Sequence, residues 1–207
     1  MKKCIFEGCG TALITPMLPD GSVNYKKLAE VVEQQITGGI DALVICGTTG
    51  ESATLDHDEH VKVIEAAVKQ SAGRVPIIAG TGSNDTRYAV TLSKDAISVG
   101  ADALLMVTPY YNKTSQAGLI AHYNYISERV NKPIILYNVP SRTGVNIKPE
   151  TYFELAKCKN IVATKEANGD LSSVLKTIAL CGSDLAVYSG NDDQTVPIMA
   201  LGGKGVI

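Results

Sequence analysis

No run of apolar residues in this chain approaches the roughly 18 that a membrane-spanning helix requires. Nor does any block of like charges stand out among its 19 Lys and Arg and 21 Asp and Glu residues. With a formal net charge of -2 spread along the chain, neither nucleic acid nor an anionic membrane surface is favoured as a partner. The amino-terminal residues Met1-Lys2-Lys3-Cys4-Ile5-Phe6 carry two lysines, but the long apolar segment of a secretory leader does not follow. Five cysteines (Cys4, Cys9, Cys46, Cys158 and Cys181) are an odd number without a C-x-x-C pair. They read as reduced, partly buried thiols of a cytoplasmic protein, which argues against a disulfide framework or a zinc site. Two nucleotide-binding patterns are missing as well. Gly80-Thr81-Gly82-Ser83-Asn84-Asp85 lacks the third glycine of the dinucleotide fingerprint, and 201–205 lacks the P-loop spacing. What is present is ordinary for a globular domain: 45% hydrophobic and 19% charged residues.

Short apolar runs alternate with amphipathic segments along the whole chain. The runs lie at 11–15, 42–46, 76–79, 103–107, 133–137, 161–164, 185–188 and 205–207, eight in all. Near-continuous apolar strands signal a parallel sheet covered on both faces. Helical patterns fill the gaps. One spans 23–37 and closes at Gly38-Gly39, and another opens at the capping box Asp56-x-x-Glu59. A third is capped by Asn84 or Asp85 and ends near Gly100, and the others occupy 115–130, 148–157 with Pro149 in its first turn, 170–180 and 192–201. Eight strands with seven intervening helices predict an α/β protein, a (β/α)8 TIM barrel forming one domain over 1–207. No helix follows the eighth strand. A bare terminal apolar strand would be a sticky edge, so the expectation is a C-terminally truncated barrel.

In such a barrel the site lies at the C-terminal strand ends. The sixth strand ends on Lys165, and a two-residue period puts Ile161, Ala163 and Lys165 on one apolar face. There the amine loses hydration and favours its neutral, nucleophilic form; the plainer alternative is a snorkelling lysine paired with Glu166. After the second strand, Gly47-Thr48-Thr49-Gly50-Glu51-Ser52 offers two hydroxyls and exposed backbone N–H groups, suited to a carboxylate or simply to a tight turn. Tyr110 and Tyr111 follow the fourth strand. Tyr137 ends the fifth, pointing into the mouth or serving as a core tyrosine. Arg142, in a loop punctuated by Pro140 and Gly144, is a candidate carboxylate clamp or a surface residue. Jointly these residues point to a Schiff-base lyase or aldolase for a small oxo acid, with a tyrosine moving protons beside the amine.

The set Gly47-Thr48-Thr49-Gly50-Glu51-Ser52, Pro109-Tyr110-Tyr111, 137–144 and Lys165-Glu166 resembles the dihydrodipicolinate synthase family, in register from Gly10 to the last residue. The resemblance implies condensation of pyruvate with L-aspartate 4-semialdehyde to 4-hydroxy-tetrahydrodipicolinate, in the diaminopimelate route to lysine. It implies no cofactor and a homo-oligomer, dimer or tetramer. By that resemblance Lys165 forms the Schiff base and Tyr137 donates and accepts protons. Thr48 and Tyr111 complete a hydroxyl relay, with Tyr111 reaching a neighbouring subunit's site. Thr49, Gly190 and Ile207 line the pyruvate pocket, and Arg142 holds the semialdehyde's carboxylate. Inhibition by L-lysine in this family maps to Ser52, Ala53, His57, His60, Asn84 and Tyr110. One acidic position typical of inhibited members is Tyr88 here, which argues against strong feedback. The sister N-acetylneuraminate lyases share the lysine and tyrosine but lack the Ser-Arg-Thr-Gly run found at 141–144. Family members continue into a last barrel helix and a C-terminal helical region. The competing expectations are therefore a non-catalytic truncated fragment or an aldolase for another 2-oxo acid. His57 and His60, beside Asp56, Asp58 and Glu59, lack a further ligand cluster, and capping or surface roles suit them better than metal.

Overall fold

In the computed structural model, which describes Lys2 and residues 4–207, eight parallel strands close into a barrel. Met1 and Lys3, within the segment considered above as a leader, lie outside the described residues. The strands are β1 (Gly8–Ala12), β2 (Ala42–Ile45), β3 (Ile77–Gly80), β4 (Ala103–Val107), β5 (Ile134–Asn138), β6 (Ile161–Glu166), β7 (Ala186–Ser189) and β8 (Gly205–Val206). Each pairs with its sequence neighbour, and β1 pairs with β8 to close the ring. Helices α1 (Tyr25–Thr37), α2 (His57–Ser71), α3 (Thr86–Ser98) and α4 (Gln116–Ser127) follow the first four strands. After β5 come α5 (Pro140–Thr143) and α6 (Pro149–Leu155), after β6 α7 (Leu171–Cys181), and after β7 α8 (Thr195–Ala200). Among the described residues, no helix is long and apolar enough to cross a membrane.

The helix starts follow from local chemistry. Asp56, Asp85, Ser115 and Asp170 each accept from a first-turn N–H of the helix they precede, and Pro149 takes the position where no N–H is needed. Two hydrophobic layers result from the strand period. Val44, Ile78, Leu105, Ile135, Tyr137 and Tyr188 fill the barrel, while Leu43, Ile45, Leu104, Met106 and Leu136 pack outward against residues of the helices. At the N-terminal end Phe6 closes the interior. It stacks on Tyr188 at 4.4 Å, and the Tyr188 hydroxyl donates to the Phe6 carbonyl at 2.7 Å.

Three expectations are corrected. Ile161 does not share a face with Ala163 and Lys165. The β5–β6 register shifts between Ile134 and Ile135, so Ile161 pairs with outward-facing Ile134 while Ala163 pairs with inward-facing Ile135. The extra residue at this bulge breaks the simple alternation. Second, the stretch after β5 is not all loop. Pro140 opens the single helical turn α5, which ends at Gly144 with φ 71°. Eight helices therefore replace the expected seven. Third, β1 begins at Gly8, before the apolar run at 11–15. Its first residues are strand only because Gly8 and Cys9 pair with Gly205 and Val206.

That closing seam depends on glycine. Gly205 sits at φ 152°, and a Cβ there would lie 1.9 Å from the Gly8 carbonyl oxygen. Gly205→Ala is expected to lower stability by roughly 2–4 kcal/mol, read as a drop in the thermal midpoint by circular dichroism. A midpoint equal to that of the unsubstituted chain would contradict this account of closure.

Candidate active site

The C-terminal ends of the strands carry most of the backbone strain. Of the five non-glycine residues with positive φ among the described residues, Cys46, Glu51, Tyr111 and Lys113 lie in the segments after β2 and β4. Such conformations persist only where the surroundings enforce them, and they collect at functional sites. At Cys46 the chain leaves β2 with φ 55° and enters Gly47-Thr48-Thr49-Gly50. A Cβ at Gly50 would sit 3.0 Å from the Leu13 carbonyl and 3.1 Å from the Cys46 nitrogen, so the turn is packed against its own backbone. The result is that Thr48 and Thr49 are both exposed at the mouth.

Lys165 is buried, 7% exposed, near the end of β6, in register with Tyr137 on β5 and Tyr188 on β7. Its Nζ lies 4.5 Å from the centre of the Tyr137 ring. Burial pushes the Lys165 ammonium down to about 8, and the nearby Arg142 charge pushes in the same direction while Asp192 opposes it. At pH 7 roughly one amine in ten is then neutral, a far larger fraction than for a solvated lysine. Burial also raises Tyr137, with Arg142 opposing, so this phenol stays protonated at neutral pH. Gly190 completes the amine's surroundings. A Cβ there would lie 3.0 Å from Lys165 Cγ, and its N–H donates to the Glu166 carbonyl at 2.8 Å. Ile207 follows β8, hydrogen-bonds through its N–H to the Ser189 carbonyl at 2.9 Å and packs in the barrel-interior cluster.

The pairing of Lys165 with Glu166 does not occur. Successive residues of a strand point to opposite faces, and Glu166 turns outward. Its oxygens accept from Asn138 Nδ2 (2.9 Å), the Tyr152 hydroxyl (2.8 Å) and the Asn168 N–H (3.0 Å). Burial lifts its carboxyl to about 7, and these donors pull the other way. This outward network of Asn138, Tyr152 and Glu166 was missed by sequence reasoning. Its one legible signal was an acid ending a buried strand.

Tyr137, Lys165 and Gly190 are thus brought together, with the charge of Arg142 acting on the first two. Others stand apart. Tyr111 is 90% exposed at φ 66°, and among the described residues no hydrogen bond joins Thr48 or Tyr111 to Tyr137. Around α2 and α3, Asn84 Nδ2 donates to the Tyr110 carbonyl at 3.3 Å. His57 lies between Tyr88 (3.4 Å) and Asp95 (3.1 Å). His60 is buried and turned inward, its Nε2 2.8 Å from the Gly80 carbonyl oxygen. Ser52 and Ala53 lie in a short 3-10 turn before α2. Among the described residues no cluster of three or more His, Cys, Asp or Glu is arranged to hold a metal.

A sequence model of the dihydrodipicolinate synthetase family matches residues 5–207. The chain is 56% identical over 207 residues to a 4-hydroxy-tetrahydrodipicolinate synthase of Acetivibrio thermocellus, covering 100% of this chain and 70% of that relative. Among solved structures, it is similar to the dihydrodipicolinate synthase of Acinetobacter baumannii complexed with pyruvate. That match has a TM-score of 0.95 at 47% identity and covers 97% of this chain and 69% of the other. It is likewise similar to the enzyme of Cyanidioschyzon merolae with lysine bound, at a TM-score of 0.96 and 40% identity over 99% of this chain and 70% of that one.

The electrostatics of the mouth make one direct prediction. The positive charge of Arg142 disfavours a second positive charge on Lys165, so Arg142→Ala should raise the Lys165 pKa above about 8. The pH dependence of the Lys165 Nζ resonance in 15N-labelled protein reads this. An unchanged or lower midpoint would show that Arg142 does not act on the amine.

Proposed function

The chain belongs to the dihydrodipicolinate synthetase family, and we propose that Lys165 performs the family's chemistry as a Schiff-base nucleophile. The activity is that of a 4-hydroxy-tetrahydrodipicolinate synthase, a lyase. The observation that carries the mechanistic reading is Lys165: a buried amine without an ion-pair partner among the described residues, beside a neutral phenol.

In this reading the neutral amine attacks the ketone carbon of pyruvate. Water leaves from the resulting carbinolamine, and its departing oxygen takes up a proton that Tyr137 can deliver. The product is a protonated imine between Lys165 and pyruvate. Loss of a proton from the methyl carbon gives an enamine, the imine nitrogen serving as electron sink. The enamine carbon bonds to the aldehyde carbon of aspartate 4-semialdehyde, whose oxygen gains a proton. Attack of the semialdehyde's own amino group on the imine carbon closes the ring and releases the Lys165 amine. Thr49 holds the pyruvate carboxylate, Gly190 and Ile207 line the pyruvate pocket, and Arg142 holds the carboxylate of the semialdehyde.

Thr48 and Tyr111 form the proton path beyond Tyr137. The exposure of Tyr111 fits a role in the site of a neighbouring copy, which makes a homo-oligomer the working form. L-lysine acts at Ser52, Ala53, His57, His60, Asn84 and Tyr110. Tyr88, hydrogen-bonded to His57, stands where an acid would face a lysine amine, so inhibition is weak.

Incubation with pyruvate and borohydride should add one reduced pyruvate adduct at Lys165, detected by peptide mass. Lys165→Ala should remove it, and Tyr137→Phe should lower kcat by about 10²-fold or more. An unmodified Lys165 would refute the reading. Tyr88→Glu should strengthen inhibition by L-lysine in a steady-state assay, and unaltered inhibition would remove Tyr88 from the account.

A further inference from the structure

Glu166 has no place in the proton transfers above, yet it is one of the most constrained side chains in the molecule. It is 3% exposed, and among the described residues no cation pairs with it. A buried carboxylate in that setting persists only when several donors converge on it. One of the donors is the amide of Asn138, which is itself fully buried at the end of β5. The same Nδ2 also donates to Asn146 Oδ1 at 2.8 Å, while Asn138 Oδ1 accepts from the Ile147 N–H at 3.1 Å. A single amide therefore ties the end of β5 to the point where the following segment returns. Between those two ends lies α5, with Arg142 exposed on it.

The chemistry of Glu166 determines which way that amide faces. Glu166 Oε1, which also takes the Asn168 N–H, acts toward Asn138 as an acceptor. It holds Asn138 with Nδ2 toward itself and Oδ1 toward the Ile147 N–H. A flipped amide would set oxygen against oxygen and N–H against N–H. Glutamine at 166 weakens this selection, because its own amide can donate as well as accept, and leaves the Ile147 N–H to orient Asn138 alone.

We propose that Glu166 is a positioning residue. Through the orientation of Asn138 it fixes the segment that carries α5 and Arg142, and so the grip on the carboxylate of the aldehyde substrate. The functional half of this inference rests on Arg142 holding that carboxylate as described above.

The test compares Glu166→Gln, Arg142→Ala and the double variant, using three readouts. Trapping with pyruvate and borohydride reports on Lys165. The KM for aspartate semialdehyde at saturating pyruvate reports on Arg142. Hydrogen exchange of the Ile147 amide reports on the loop. Glu166→Gln should form the pyruvate adduct like the unsubstituted chain, with kcat within about threefold and KM for the semialdehyde raised roughly tenfold, the scale of one lost hydrogen bond. It should raise that KM no further in the Arg142→Ala background, and the Ile147 amide should exchange faster. Asn146→Ala, exposed and outside the barrel, should raise the same KM in the same direction and carries the test if Glu166→Gln does not fold. An unchanged KM with unchanged Ile147 exchange would overturn the proposal, as would loss of the adduct at unchanged KM. Failure of the unsubstituted chain to form an adduct would refute the Schiff-base reading instead. The Ile147 exchange rates of the two variants would then decide on Glu166.

Discussion

A lysine amine placed among apolar side chains loses hydration that, among the described residues, no ion pair restores, the charge of Asp192 offsetting the loss only in part. Glu166, adjacent in sequence, is turned away by the pleat of β6 and spends its acceptors on Asn138, Tyr152 and the Asn168 N–H. Phe6 and Tyr188 close the barrel below the mouth, and Arg142 contributes a like charge from α5. Each of these pushes the amine toward its neutral form. The properties of the site follow from that one unbalanced burial. The amine gains a neutral fraction, the neighbouring phenol stays protonated, and the two lie in register on adjacent strands.

Backbone geometry supports this arrangement from two directions. Strain at Cys46, Glu51, Tyr111 and Lys113 shapes the segments that surround the mouth, whereas glycine at 190 leaves room beside the Lys165 side chain. The other end of the barrel bears the closing requirement, where a side chain on Gly205 would strike the Gly8 carbonyl. Division of labour between the two ends of a barrel is thus visible at single residues: one end is shaped for chemistry and the other for closure.

Much of this was readable from the amino-acid order. The apolar runs and capping residues located all eight strands and seven of the helices, because period and cap chemistry are local properties. Lys165 and Tyr137 were legible as strand-terminal polar residues on apolar faces. Features set by distant parts of the chain were not. The bulge that turns Ile161 outward depends on the register with β5. The early start of β1 depends on pairing with β8. The Glu166 network joins residues 14 and 28 positions apart in sequence. Glu166 looked like a partner for Lys165 only because adjacency in sequence hides the reversal of direction along a strand.

On the Schiff-base reading, burial makes the Lys165 nitrogen a covalent partner of pyruvate. Carbon-13 NMR of the 15N-lysine-labelled chain with pyruvate labelled at its ketone carbon tests it most directly. An imine carbon signal with one-bond coupling to a lysine 15N, absent from Lys165→Ala, is the expected result. A ketone signal without nitrogen coupling at saturating pyruvate would contradict it.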